Sequence, residues 1–162
     1  MRFFINQIDK KQVNKYVELW QIPPSIINIM KRYSGELPPT IDNPKDKRRM
    51  FANEFTIIEQ QNILTWMNQN KTLIVSDILK GRGQFSAEWM LVAQKINSNS
   101  RWVLKTMNFC LNYFGNGEVV MTKQGNLRIA KIGIQRKGGD GGRSTANMLQ
   151  FKINPAELFD YD

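Results

Sequence analysis

The sequence predicts an α+β chain in which several N-terminal and central helices lead into a small, mainly antiparallel sheet. Three observations carry that expectation. Up to about residue 115 the apolar residues recur every three or four positions, the period of a half-buried helix. Beyond Gly117 they alternate every second position, the period of a strand. Proline and glycine punctuate the boundaries between these stretches.

The elements follow in order. KQVNKYVELW and PPSIINIMKRYSG are short helix candidates, the second opened by prolines and stopped by Gly35. GELPPTIDNPKDKRR, with three prolines and mixed charge, reads as a linker. The expected organisation is thus a helical segment 1–34, a linker 35–49 and a main domain 50–162, together one compact unit. RRMFANEFTIIEQQNILTWMNQN predicts one or two amphipathic helices, with Phe51, Phe55, Ile58, Ile63, Trp66 and Met67 at helical spacing. TLIVSDILKG is either a short strand through Leu73, Ile74 and Val75 or a helical turn capped by Ser76. SAEWMLVAQKIN predicts a helix capped by Ser86, with Glu88 in its first turn. RWVLKTMNFCLNYFG predicts another, with Val103, Met107, Cys110 and Phe114 on one face and Gly115 as its stop.

EVVMTKQ and LRIAKIGIQRK then form a hairpin about Gly125 and Asn126, and LQFKIN adds a third strand ended by Pro155. The alternative fold is a winged helix-turn-helix, with 86–97 as reading helix and the hairpin as wing. The apolar run WMLVA in that helix favours burial instead. Trp66, Trp89, Trp102 and Phe109 are expected in the core rather than as stacking platforms for bases.

Composition narrows the function. The chain has no histidine and a single cysteine, which excludes Ser–His and Cys–His nucleophile pairs, His-metal sites and zinc fingers. Hydrolysis would rest on carboxylates, lysine and a hard cation such as magnesium. Cys110 lies in an apolar run and reads as a core residue in a reducing cytoplasm. No run of 18 apolar residues and no secretory leader pattern stands in the sequence, so no membrane role is expected. The formal charge is +9, and Lys95 to Lys152 holds ten lysines and arginines against Glu118 and Asp140. Charge so concentrated points to a polyanion, nucleic acid above all.

With Gly125-Asn126 as a two-residue turn, Gln124 faces Leu127 and Glu118 faces Gly133. Alternation then puts Glu118, Val120, Lys131, Gly133, Gln135 and Lys137 on one face, opposite an apolar face of Val119, Met121, Ala130, Ile132 and Ile134. Oxygen ligands on neighbouring strands suit a cation that polarises a phosphodiester, and a lysine two residues along suits the developing charge. The next segment, GGDGGRSTAN, offers backbone N–H groups for phosphate from Gly138 and Gly139, and donors from Arg143, Ser144 and Thr145. Arg136 and Arg143 are candidates for reading guanine, and Asp140 for cytosine or for bracing the loop.

An acid at the start of one strand, followed by acid-x-Lys at the end of the next, resembles the PD-(D/E)xK nuclease core. LRIAKIGIQRKGGDGGRSTANMLQFKINP is similar to a stretch near the C-terminal end of some type II restriction endonucleases, and with Glu118 the likeness covers residues 118–155. The resemblance implies a magnesium-dependent enzyme cutting double-stranded DNA at a short site, and a homodimer if that site is symmetrical. It implies Glu118 and Gln135 as metal ligands, Lys137 as the catalytic lysine and Glu88 as an accessory helical acid. It also implies DNA contacts from Lys131, Arg136, Gly138, Gly139, Asp140, Arg143, Ser144 and Thr145. Here a glutamine stands where the family pattern has an acid. The other expectation is a non-catalytic, sequence-specific DNA-binding domain of a larger restriction protein.

Overall fold

The computed structural model describes residues 7–137 and 146–161. Along the chain run β1 (Gln7–Lys11), α1 (Asn14–Trp20), α2 (Pro24–Ser34), α3 (Ile57–Gln69), α4 (Lys71–Lys80), β2 (Trp89–Ile96), β3 (Asn99–Thr106), α5 (Met107–Gly115), β4 (Val119–Met121), β5 (Leu127–Ile129), β6 (Ile132–Lys137) and β7 (Met148–Lys152). A 3-10 segment, Pro155–Tyr161, follows.

Local chemistry accounts for most boundaries. Pro24 opens α2, where a missing N–H costs nothing, and Gly35 at φ 87° closes it by returning its N–H to Lys31 O. Thr56 and Glu59 cap α3 reciprocally. The ambiguous TLIVSDILKG is helical, because Ile74, Val75, Ile78 and Leu79 together make one buried stripe.

Two helix expectations give way. SAEWMLVAQKIN is not a helix: Trp89–Ile96 is strand β2, paired antiparallel with β3 from Trp89↔Thr106 to Ile96↔Asn99. Asn97 makes the turn at φ 56°, a conformation asparagine tolerates. The Ser86 cap never forms, because no helix follows it; Ser86 N–H closes a tight turn on Gly83 O. RWVLKTMNFCLNYFG is divided at Thr106, which ends β3 and caps α5 by accepting from Phe109 N. With no helix at 86–97 there is no reading helix, so the winged helix-turn-helix alternative is excluded.

The main sheet has the order β1-β7-β6-β5-β4, all antiparallel. β1 was not expected, because the first 34 residues read as helical; its register on β7 shifts between Gln7 and Asp9. LRIAKIGIQRK is two strands rather than one. Ala130 at φ 48° lets the chain reverse, so β6 folds back on β5. The inner face of the sheet carries Leu127, Ile129, Ile132, Ile134, Leu149 and Phe151, all buried.

A single hydrophobic cluster runs from Val13 to Leu158. Tyr16 stacks on Trp20 at 4.2 Å and both meet Phe151 edge-on, which fixes α1 to β7. The buried Tyr33 hydroxyl donates to Ile134 O (2.6 Å) and accepts from Leu127 N (3.2 Å), tying α2 to β5 and β6. Residues 35–49 lie against this body: Glu36 accepts from Val13 N at 2.7 Å, and the Arg49 guanidinium sits 3.9 Å over the Phe51 ring. Gly115 is more than a helix stop. A Cβ there would lie 2.6 Å from Val75 Cγ1, so the bare backbone is what lets α5 approach α4.

Candidate nucleic-acid interface

The outer face of the sheet is built by the same alternation that buries the inner one. Arg128 on β5, Gly133 on β6 and Lys152 on β7 stand on one rung. Gln135 and Lys137 follow along β6, opposite Gln150 and Met148. Neighbouring strands lie about 4.8 Å apart, so the two cations flank the glycine at a separation on the order of 10 Å. A Cβ on Gly133 would touch nothing closer than Lys152 O at 3.9 Å. The glycine is therefore not needed for packing, and its space opens onto the face.

That notch lies in a groove of about 410 Å³. Besides the rung, the groove is lined by Gln124, Asn126, Gln135 and Asn154, whose amides donate and accept, and by Lys131. Among the described residues its one lining carboxylate is Glu157, which is already engaged: Lys131 Nζ and Tyr113 Oη meet Glu157 Oε2 at 3.0 and 2.9 Å. Partial burial would raise the Glu157 carboxyl, but the bonds from Lys131 and Tyr113 hold it below the usual carboxylate range. The Tyr113 and Glu157 bonds raise Lys131, so it keeps its charge at neutral pH.

The expected site residues are distributed differently. The observed β4–β5 register pairs Val120 with Arg128, not Glu118 with Gly133. The expected hairpin is corrected twice: residues 122–126 form a longer connection than the two-residue turn, so Met121 and not Gln124 faces Leu127, and β5 and β6 are separate strands, with β5 between β4 and the Gln135 strand. Glu118, exposed just before β4, only offers its carbonyl to Ala130 N. Two strand spacings of about 4.8 Å and four residues of about 3.3 Å put Glu118 and Gln135 on the order of 15 Å apart. Side chains standing off one face in parallel do not close that gap. Glu88 is in no helix; it precedes β2, largely exposed, in an ion pair with Lys80 at 3.1 Å.

Magnesium, the cation the expected chemistry requires, does not fit these donors. It holds oxygen ligands at about 2.0–2.1 Å, and Glu118 and Gln135 are not brought within reach of one ion. Among the described residues no cluster of acids is gathered for a metal. Asp77, the other acid near a strand-like run, is a packing residue on α4, accepting from Trp20 Nε1 at 2.8 Å and paired with Arg82.

Arg136 is also relocated. It alternates onto the inner face and is 7 % exposed. There it donates to Ser34 O and Asn147 Oδ1 and faces Asp46 at 3.7 Å, so it braces the sheet instead of facing DNA. Burial, and Arg48 beside it, pull it below the usual arginine value. Gly138, Gly139, Asp140, Arg143, Ser144 and Thr145 lie outside the described residues. Arg128 was missed by sequence reasoning, which counted β5 and β6 as one strand. The left-handed turn at Ala130 carries no glycine or asparagine to announce it.

Helices and a mainly antiparallel sheet, with a basic, amide-lined groove on the sheet's outer face, make an α+β protein of the restriction-endonuclease-like kind. The chain belongs to the R.HinP1I restriction endonuclease family, whose model matches residues 2–159, nearly its whole length. It is thus a member of a family of DNA-cleaving type II enzymes. No individually curated protein matches it. Among the described residues no helix is long and apolar enough to cross a membrane.

Proposed function

We propose that the chain binds double-stranded DNA at a specific sequence through the outer sheet face, as the DNA-engaging part of a magnesium-dependent type II restriction endonuclease. The observation that carries this reading is the rung Arg128–Gly133–Lys152, two cations either side of a side-chain-free notch. A phosphate entering it meets charge from both sides, and the surrounding amides offer bonds to base edges. The family supports cleavage of the DNA so held. The carboxylates of the described residues do not gather into a metal-holding group.

A second reading keeps Gln135 and Lys137 near the chemistry, favoured by the place of Gln135 in the groove and of Lys137 two residues along the same face. One experiment addresses both: incubation of the chain with phage DNA, with magnesium and with EDTA. Site-specific retention under both conditions without cutting supports a binding part alone. Discrete fragments with magnesium only support the catalytic reading, and then Lys137→Ala should abolish cutting while binding survives. Absence of binding in either condition contradicts the proposal.

A further inference from the structure

At Lys131 the groove meets a pair of donors that share one acceptor. Lys131 Nζ and Tyr113 Oη lie 3.0 and 2.9 Å from the same oxygen, Glu157 Oε2. Lys131 Nζ also stands 3.0 Å from Tyr113 Oη and 4.3 Å over its ring, so the two donors hold each other as well. Lys131 lines both the groove and a second cleft of about 430 Å³, which Phe109, Tyr113 and Tyr161 also line. The pair thus stands where the two hollows meet. Neither charge is deeply buried: the Lys131 and Glu157 side chains are 40 % and 31 % exposed. An ion pair so wet is open to exchange with another anion.

Glu157 belongs to the 3-10 segment Pro155–Tyr161, whose Pro155 and Leu158 are buried and anchor it. Beyond Leu158, Arg101 lies 4.0 Å over the Phe159 ring and Lys105 donates to Tyr161 O. The Tyr161 ring meets Tyr113 at 5.0 Å and Phe109 at 5.7 Å, edge to face. One segment therefore clasps Tyr113 twice, by the Glu157 carboxylate and by the Tyr161 ring, on either side of a fixed leucine.

We propose that Lys131 and Tyr113 form a phosphate subsite at the edge of the groove, that Glu157 plugs it in the free chain, and that a backbone phosphate of DNA takes the place of the plug and loosens the segment. This rests on the DNA-binding reading above and adds to it a contact that the free chain holds shut. A carboxylate oxygen that accepts from an ammonium and a phenol has the charge and the two bonds that a non-bridging phosphate oxygen would have there. The exchange replaces one charge-assisted acceptor by another, and the displaced carboxylate turns to water, kept out by repulsion from the phosphate. A 3-10 turn holds three residues, so turning Glu157 outward turns the residues beside it. Leu158 keeps the segment attached while Tyr161 leaves Tyr113.

Titration of labelled duplex at about 0.1 M salt, with amide hydrogen exchange over residues 155–161 recorded on the free and the saturated chain, tests this. In the wild type the segment should exchange faster with DNA bound, where simple burial under DNA would slow it. Glu157→Gln keeps the shape and removes the charge, and should bind duplex about fivefold more tightly, the scale of a half-exposed ion pair. Glu18→Gln removes an exposed acid on α1, at the inner side of the sheet, and should change affinity less than about twofold. Tyr113→Phe added to Glu157→Gln alters no charge and should cancel most of the gain, which a general effect of net charge would not do. Exchange over 155–161 that is unchanged or slower with DNA bound overturns the proposal. So does a Glu157→Gln chain that binds no more tightly than Glu18→Gln, or a gain indifferent to Tyr113→Phe. Wild-type binding is read in the same titration: its absence contradicts the DNA reading and the subsite together, and binding with a silent segment contradicts the subsite alone.

Discussion

The outer face of the main sheet and the outer face of the β2–β3 ribbon are both antiparallel surfaces left in water, yet alternation has filled them with opposite chemistry. The sheet face carries Arg128, Lys152, Gln135 and the Gly133 notch, and holds Glu157 in a pair with Lys131. The ribbon face carries Trp89, Leu91, Trp102 and Leu104, and turns Arg101 and Lys105 to the other side. A charged notch loses little by staying hydrated until a polyanion displaces the water, whereas an apolar ladder is disfavoured in water and gains from any complementary cover. Exposure alone therefore says little; what a face does depends on which residues alternation leaves outward.

The comparison breaks most visibly if charge reversal on the sheet face leaves DNA binding intact. Arg128→Glu with Lys152→Glu should lower affinity about a hundredfold or more at low salt, by titration of labelled duplex, with sedimentation unchanged. Single alanine substitutions should each reduce the slope of log K against log salt by about 1. Tyr33→Phe sharpens the account of how the basic face is held. It strips Ile134 O and Leu127 N of their buried partner and should cost about 1–3 kcal/mol in denaturant unfolding. Gly115→Ala should destabilise by a similar or smaller amount, about 1–3 kcal/mol, through the contact with Val75.

The smallest effect concerns pH. Burial raises Glu59, but its bonds from Arg32 and Thr56 outweigh that and keep the carboxyl below its ordinary value. A carboxyl so depressed adds stability that is complete above its unfolded pKa, about 4.3, and is lost as pH falls through the lower folded value. Glu59→Gln should therefore lower stability at neutral pH and flatten the acid limb of the unfolding profile.

Much of the fold was legible because local rules and tertiary packing agree. Pro24, Gly35, and the Thr56–Glu59 pair mark helices that form where expected. The rules failed where two periods were compatible with one segment. In SAEWMLVAQKIN a good cap candidate and mixed apolar residues suit a helix, but RWVLK, just beyond the turn at Asn97, supplies a strand partner that no local pattern reveals. The same error hid the exposed tryptophans, since Trp89 and Trp102 belong in a core only if their segments are helical. The shared outward face of Gly133, Gln135 and Lys137 was readable from alternation within a strand. The relation of Glu118 to them depended on the length of the connection about Gly125 and on a turn at Ala130 without turn residues, and a register error propagates to every pair beyond it.

The most direct test of the sheet face as the DNA site is Gly133→Val, measured by duplex titration beside thermal unfolding. Valine is favoured in strands and the new Cβ meets nothing closer than Lys152 O at 3.9 Å, so stability should hold or rise. Its side chain nevertheless fills the notch between Arg128 and Lys152, and affinity should fall at least about tenfold. A stable variant that binds DNA as tightly as the wild type would contradict the account.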